Sequence, residues 1–343
     1  MRPVCLRANA SAQMGQGAYI FGCEGLELSP LEAQFFRDAN PWGFILFARN
    51  VETKEQLRRL TNDLRDTVGW HAPILIDQEG GRVQRLRGPI WREFEPPLDD
   101  ILTKSDPKRA MWLRGRLIAD DLAGVGIDVN CAPTLDVASD LTHPFLRNRC
   151  YGTDPATVAH MGRAMVDGMA AGGVAAVMKH IPGHGRGTAD SHKNLPRVSA
   201  SRAKLEVDFV PFKALNDLPM GMSAHIVMEA IDPERPATQS PACIDVIRNE
   251  IGFNGLLMTD DLSMQALDGT VFERGHKALE AGCDIVLHCN GDLIEMQSVA
   301  ALGYMSDLAQ RRADYAANSR PKAPRLTTQT IDIAALDAEF QSL

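Results

Sequence analysis

Short apolar runs recur along the chain, each closing on glycine or on a polar or charged residue. They span 18–21, 43–47, 73–77, 126–131, 174–178, 221–225, 255–260 and 284–288. Runs of this length, bounded by turn formers, read as buried strands. Helical spacing fills most of the gaps. Leu31 to Ala39 opens after Ser29-Pro30, a cap followed by proline at the first turn. Lys54 to Val68 places Leu57, Leu60 and Leu64 on one stripe. Lys108 to Ala123, Pro155 to Ala171, Ser201 to Leu215, Pro241 to Ile251 and Val271 to Ala281 complete the set. Strand and helix alternate eight times, which is the pattern of a single-domain α/β (β/α)8 TIM-type barrel. A doubly wound open sheet is the competing architecture. The barrel is expected over residues 1–320, with 321–343 a C-terminal tail carrying one short helix.

Polar groups gather where the apolar runs end. The third run leads into Asp77-Gln78-Glu79-Gly80-Gly81-Arg82-Val83-Gln84-Arg85, and the fourth into Cys131-Ala132-Pro133. The sixth delivers His225, and the seventh Asp260 and Asp261. The fifth opens into the most unusual stretch of the chain, Met178 to Pro196, with three histidines, Lys179 and Asp190. Pro182 and the surrounding glycines rule out a helix there, so a shaped loop is expected after the strand. Strand C-terminal ends are where parallel α/β folds place their chemistry. A core would not tolerate so many charged groups unpaired.

Composition narrows the classes. An apolar fraction of 45% supplies an ordinary core, and a formal net charge of −8 speaks against nucleic-acid or anionic-membrane partners. The seven cysteines are scattered without a C-x-x-C pair, and most lie in or beside apolar runs, as buried free thiols do. That points to a reducing compartment. The N-terminal residues lack the apolar core of a signal peptide, and no apolar stretch approaches the roughly 18 residues of a membrane span. A cytoplasmic protein with no membrane contact is expected.

The strand-end residues suggest roles. Along a strand, Asp260 and Asp261 face opposite sides. Asp260 is the candidate nucleophile or base, and Asp261 the N-cap of the segment after Leu262. Asp190 stands two residues before His192, close enough to fix its tautomer and stabilise its cation, which makes His192 a candidate general acid/base. An Asx turn made by Asp190 is the plainer alternative. His180 and His184 have zinc-like spacing for a helix, but Pro182 and Gly183 remove the helix. A metal-dependent barrel hydrolase using His180, His184 and His192 stays open. So does a sugar-binding protein without activity, although Asp260 and His192 are both present.

Three motifs together carry a resemblance. Lys179-His180-Ile181-Pro182-Gly183-His184-Gly185 followed by Asp190-Ser191-His192, Ile76-Asp77-Gln78-Glu79-Gly80-Gly81-Arg82-Val83, and Thr259-Asp260-Asp261-Leu262-Ser263-Met264 stand in the order of glycoside hydrolase family 3. The chain resembles the short bacterial β-N-acetylglucosaminidases of that family, which act in peptidoglycan recycling, from about Gly17 to Asn290. The resemblance implies a retaining exo-β-N-acetylglucosaminidase. Its substrates would be muropeptides or chito-type sugars, with terminal GlcNAc released from GlcNAc-anhydroMurNAc-peptides. It would work as a monomer without cofactor or metal. It also implies that Asp260 is the nucleophile and that His192 is the acid/base, in a dyad with Asp190. Asp77, Arg85, Arg149, Lys179 and His180 would hold the terminal sugar. Arg149 rests on Asn148-Arg149-Cys150-Tyr151-Gly152, where Cys-Tyr replaces the family's Ser-Phe. His184 and Gly185 are expected to shape the loop rather than react. Attack by the substrate's own acetamido carbonyl, oriented by Asp260 and Asp261, is the rival route.

Overall fold

The computed structural model describes residues 15–187, 195–322 and 332–343. Its strands are β1 (Gly17–Gly22), β2 (Pro41–Leu46), β3 (Ile74–Ile76), β4 (Val129–Asn130), β5 (Ala175–Ala176), β6 (Met178–Ile181), β7 (Arg197–Val198), β8 (Met220–Ser223), β9 (Val227–Met228), β10 (Leu256–Asp261) and β11 (Ile285–His288). The main sheet runs β5-β4-β3-β2-β1-β11-β10-β8-β6, and its ladders are parallel. The two ends of that order are the same stretch of chain. β5 pairs with β4 and β6 pairs with β8, with only Val177 between them. Val177 still donates its N–H to the Asn130 carbonyl at 3.0 Å. The sheet therefore closes on one interrupted strand, giving the eight staves of a (β/α)8 barrel and excluding the open doubly wound sheet. A separate parallel pair, β7 with β9, lies outside the barrel.

Alternation along each strand makes two cores. Ile20, Trp42, Leu75, Val129, Met258 and Leu287 fill the barrel. Tyr19, Phe21, Ile74, Ile76, Leu257 and Val286 face the helices. The barrel is thus packed with side chains, and open space remains only at its mouth. Helices Pro107–Ala123 and Pro155–Ala171 lie backbone to backbone. A Cβ on Gly168 would come 2.0 Å from the Trp112 carbonyl, so only glycine permits that approach.

Helix starts follow the expected chemistry. Ser29 and Glu32 form a capping box on Pro30–Ala39, Thr53 caps Lys54–Val68, and Thr270 with Glu273 caps Val271–Ala281. The helix expected over 201–215 departs from the spacing and divides into Arg202–Asp208 and Val210–Ala214. Pro211 has no N–H to continue the ladder and crowds the carbonyl four residues earlier.

Two helices that periodicity did not single out complete the barrel wall and floor. Leu293–Ala300 starts on Asp292, whose carboxylate accepts from the Ile294 and Glu295 N–H groups. Asp307–Asn318 packs Ala313 and Ala316 against the interior cluster. Arg312, on this helix, pairs with Asp284 at 2.8 Å, and Arg320, just after it, pairs with Asp128. Both aspartates precede strands, so this helix covers the end of the barrel opposite the polar rim. The last helix, Ile333–Ser342, docks on the outer wall through buried Phe340 and a two-point Arg109–Glu339 ion pair. Among the described residues, no helix is long and apolar enough to cross a membrane.

Candidate active site

The C-terminal ends of the staves enclose a cavity of about 380 Å³, within the ~300–1,000 Å³ of ligand pockets. Asp77, Arg85, Arg149, Lys179, His180 and Asp260 all line it. These residues come from four separate stretches of chain, around 77–85, 149, 179–180 and 260, and the barrel brings them to one mouth. Lys179 and His180 belong to β6 itself, so the strand runs three residues further than Val174 to Met178 suggests, and the shaped loop starts at Pro182.

The floor is an ion network. Asp77 accepts from Lys179 Nζ at 2.8 Å and from Arg85 Nη2 at 3.0 Å. Lys179 also reaches Glu79 Oε1 at 2.6 Å, and Arg149 grips both Glu79 oxygens at 2.8 and 2.9 Å. Burial by itself would raise these carboxyls. The cations outweigh it, holding Asp77 well below the usual carboxylate range and Glu79 down to about 2. Burial would likewise discharge Lys179, but Asp77 and Glu79 raise its pKa and keep it cationic. Arg149 uses Nε and Nη2 on Glu79. Its remaining Nη1, the charged Lys179 head and the guanidinium of Arg85 are donors this network offers a ligand.

Glu79 is nearly inaccessible, at 1% exposure, so Glu79→Gln leaves Arg149 and Lys179 short of a buried counter-charge. We expect a loss of roughly 3 kcal/mol of stability at neutral pH. Because folding depresses the Glu79 pKa from 4.5 to about 2, its contribution is complete above 4.5 and is lost as pH falls toward 2. Denaturant unfolding at neutral pH and near pH 3 should therefore show the deficit of the variant shrinking in acid. Equal deficits at both would place its origin elsewhere.

One carboxylate holds both histidines. Asp136, fully buried beyond β4, takes His180 Nδ1 at 2.7 Å and the His184 backbone N–H at 2.6 Å. Burial would raise the Asp136 carboxyl, but His180 keeps its pKa lowered. An ionised carboxylate only accepts, so His180 carries its proton on Nδ1 toward Asp136 and presents Nε2 as its second polar atom. Gly185 lets the loop pack down here, since a Cβ would sit 1.9 Å from the Val137 carbonyl.

Asp260 is the penultimate residue of β10 and is partly buried. Asp261 N–H donates to its Oδ1 at 2.8 Å. Burial pushes its carboxyl up, yet His225, His180, that N–H and Lys179 together bring it below the ordinary value, so it is an anion at neutral pH. His225 donates from Nε2 to the Asp261 carbonyl at 3.1 Å and its Nδ1 lies 2.9 Å from Thr238 Oγ1. It thereby fixes the backbone that carries Asp260. Asp261 does not cap a helix, which corrects the sequence expectation. The next helix starts at Val271 under Thr270. Instead Asp261 closes an Asx turn on Ser263 N–H at 3.0 Å and accepts from Cys289 N–H at 3.1 Å, tying β10 to β11.

Asp190 and His192 lie outside the described residues. Glu79, Asp136 and His225 are the site residues to which sequence reasoning gave no role. A carboxylate five residues after an apolar strand end, as Asp136 stands after Cys131, was the available signal.

Residues 29–319 match the glycosyl hydrolase family 3 N-terminal domain. The chain belongs to glycosyl hydrolase family 3. It is 40% identical to a β-hexosaminidase of Alkalilimnicola ehrlichii over 80% of this chain and 81% of that protein. A β-hexosaminidase of Chromobacterium violaceum is 35% identical over 91% of this chain and 90% of its own. The crystal structure of NagZ from Neisseria gonorrhoeae in complex with N-trifluoroacetyl-D-glucosamine superposes with a TM-score of 0.85 at 29% identity, covering 96% of this chain and 98% of that one.

Proposed function

We propose that the protein is a retaining exo-β-N-acetylglucosaminidase that removes terminal GlcNAc from peptidoglycan fragments through a covalent glycosyl-enzyme. The observation that carries this reading is Asp260, an ionised carboxylate held by Asp261 N–H at the mouth of a sugar-sized pocket. In the first step Asp260 attacks the anomeric carbon, forming a C–O ester bond as the glycosidic C–O bond breaks. His192, supported by Asp190, gives its proton to the leaving oxygen. In the second step the same histidine takes a proton from water, whose oxygen attacks the anomeric carbon and releases Asp260. Asp77, Arg85, Arg149, Lys179 and His180 bind the sugar hydroxyls. Lys179 and His180 sit on β6 and Asp77 directly follows β3, so the barrel itself positions these groups.

Asp261 bears on the rival route. An acetamido carbonyl that attacks its own anomeric carbon needs a carboxylate on the amide N–H. The oxygens of Asp261 already accept from Ser263 and Cys289, which favours attack by Asp260.

The relatives support the substrate class: two are β-hexosaminidases by name, and the third holds an N-acylated glucosamine. The muropeptide aglycone, the monomeric state and the cytoplasmic setting belong to the same proposal. The cysteines among the described residues are all buried free thiols, which suits a reducing compartment.

The experiment is hydrolysis of 4-nitrophenyl N-acetyl-β-glucosaminide beside the matching β-glucoside, with and without chelator. We expect turnover of the N-acetyl sugar only, unchanged by EDTA, and release of GlcNAc from GlcNAc-anhydroMurNAc-peptides. Activity abolished by chelator and restored by zinc would instead support a metal hydrolase built on the loop histidines.

A further inference from the structure

His184 stands out among the residues that line the cavity. It is 7% exposed, yet neither ring nitrogen has a hydrogen-bond partner among the described residues. Its backbone is secured through the N–H that donates to Asp136, and its ring packs edge-on to His180 at 5.8 Å between centroids. The imidazole is therefore held in place while its polar atoms are left unsatisfied. Each buried, unpaired polar atom costs about 1–3 kcal/mol, so such a group calls for an explanation. The cavity supplies one, because His184 lines it together with Asp260 and Lys179.

We propose that His184 is a further substrate-binding residue, whose imidazole hydrogen-bonds a hydroxyl of the bound N-acetylhexosamine. This rests on the glycosidase reading and deepens it. The chemistry of the pocket explains why an imidazole serves. Lys179 and Arg85 can only donate, and Asp77 can only accept. His180 has Nδ1 committed to Asp136. Burial lowers the His184 pKa to about 4, so its ring is neutral in the working range, with one donor and one acceptor. A hydroxyl has the same dual character, and a neutral partner adds no charge beside Asp260.

The test uses the full-length protein and competitive inhibition of aryl glycoside hydrolysis by GlcNAc and by its monodeoxy forms, each lacking one hydroxyl. His184→Phe should weaken GlcNAc binding about tenfold. One monodeoxy sugar should bind wild type and variant equally, because the contact is missing from both. His184→Asn, which keeps a donor and an acceptor, should recover part of the loss. Should the phenyl ring prevent folding, His184→Ala carries the same comparison. An equal weakening for GlcNAc and every monodeoxy form, or no weakening, overturns the proposal while leaving the glycosidase reading intact. A wild-type protein that neither cleaves the glycoside nor binds GlcNAc overturns both.

Discussion

Asp260→Asn should lower kcat for β-GlcNAc hydrolysis by about 10⁴-fold while the protein stays folded. The amide keeps an oxygen for the Asp261 N–H and nearly the same volume, so the end of β10 has no reason to move. What disappears is the anion that attacks. The neighbouring carboxylates cannot replace it. Asp77 is held between Lys179 and Arg85, and Asp261 is occupied by Ser263 and Cys289. Asp261→Asn makes the contrast. It should reduce stability by about 1 kcal/mol through a weakened turn and strand tie, with a far smaller effect on kcat. Steady-state rates and denaturant unfolding of the two variants check both statements. Comparable losses of kcat in the two would mean that the pair works jointly, as substrate-assisted attack requires.

The second large effect is expected at His192. Its replacement by alanine should cut kcat/KM on a GlcNAc disaccharide by about 10²–10⁴-fold, since the departing sugar alkoxide needs a proton. An aryl glycoside with an acidic phenol should lose far less in the glycosylation step, because that group departs unaided. Asp190→Ala should show the same pattern more mildly, since the imidazole remains but loses its anionic partner. Measuring kcat/KM for each variant on both substrates separates these outcomes. Equal losses on the two substrates would remove His192 as the leaving-group acid and turn attention to His184 and His180.

The parts of this site that were legible in the sequence share one property. Asp77, Lys179, His180 and Asp260 each stand at the end of an apolar run, where a strand delivers its last side chains to the rim. Their placement follows from local pattern alone. Glu79 and Asp136 follow from pairing instead. Glu79 matters because it lies against Arg149, 70 residues away, and Asp136 because it lies against His180, 44 residues away. Nothing in their own neighbourhoods announces those partners. Asp261 was misread for a related reason. A carboxylate after a strand caps a helix or closes an Asx turn with the same local chemistry, and its contact with Cys289 on the next stave favours the turn. The eightfold alternation was likewise enough for the barrel, but not for the way it closes. Val174 to Met178 reads as one strand, and only the ladders to β4 and β8 reveal the break at Val177. The floor helix Asp307–Asn318 was missed because its inward face is small alanine, a weak periodic signal that suits a tight approach to the barrel.

The most direct test of the central claim is to trap the intermediate. A GlcNAc-type fluorosugar that forms the ester quickly and releases it slowly should add one sugar mass to the intact protein. Digestion and peptide mass spectrometry should then place that mass on Asp260, and Asp260→Asn should take up none. A protein that turns over normally yet yields no adduct, or carries the label on another residue, would contradict covalent catalysis by Asp260.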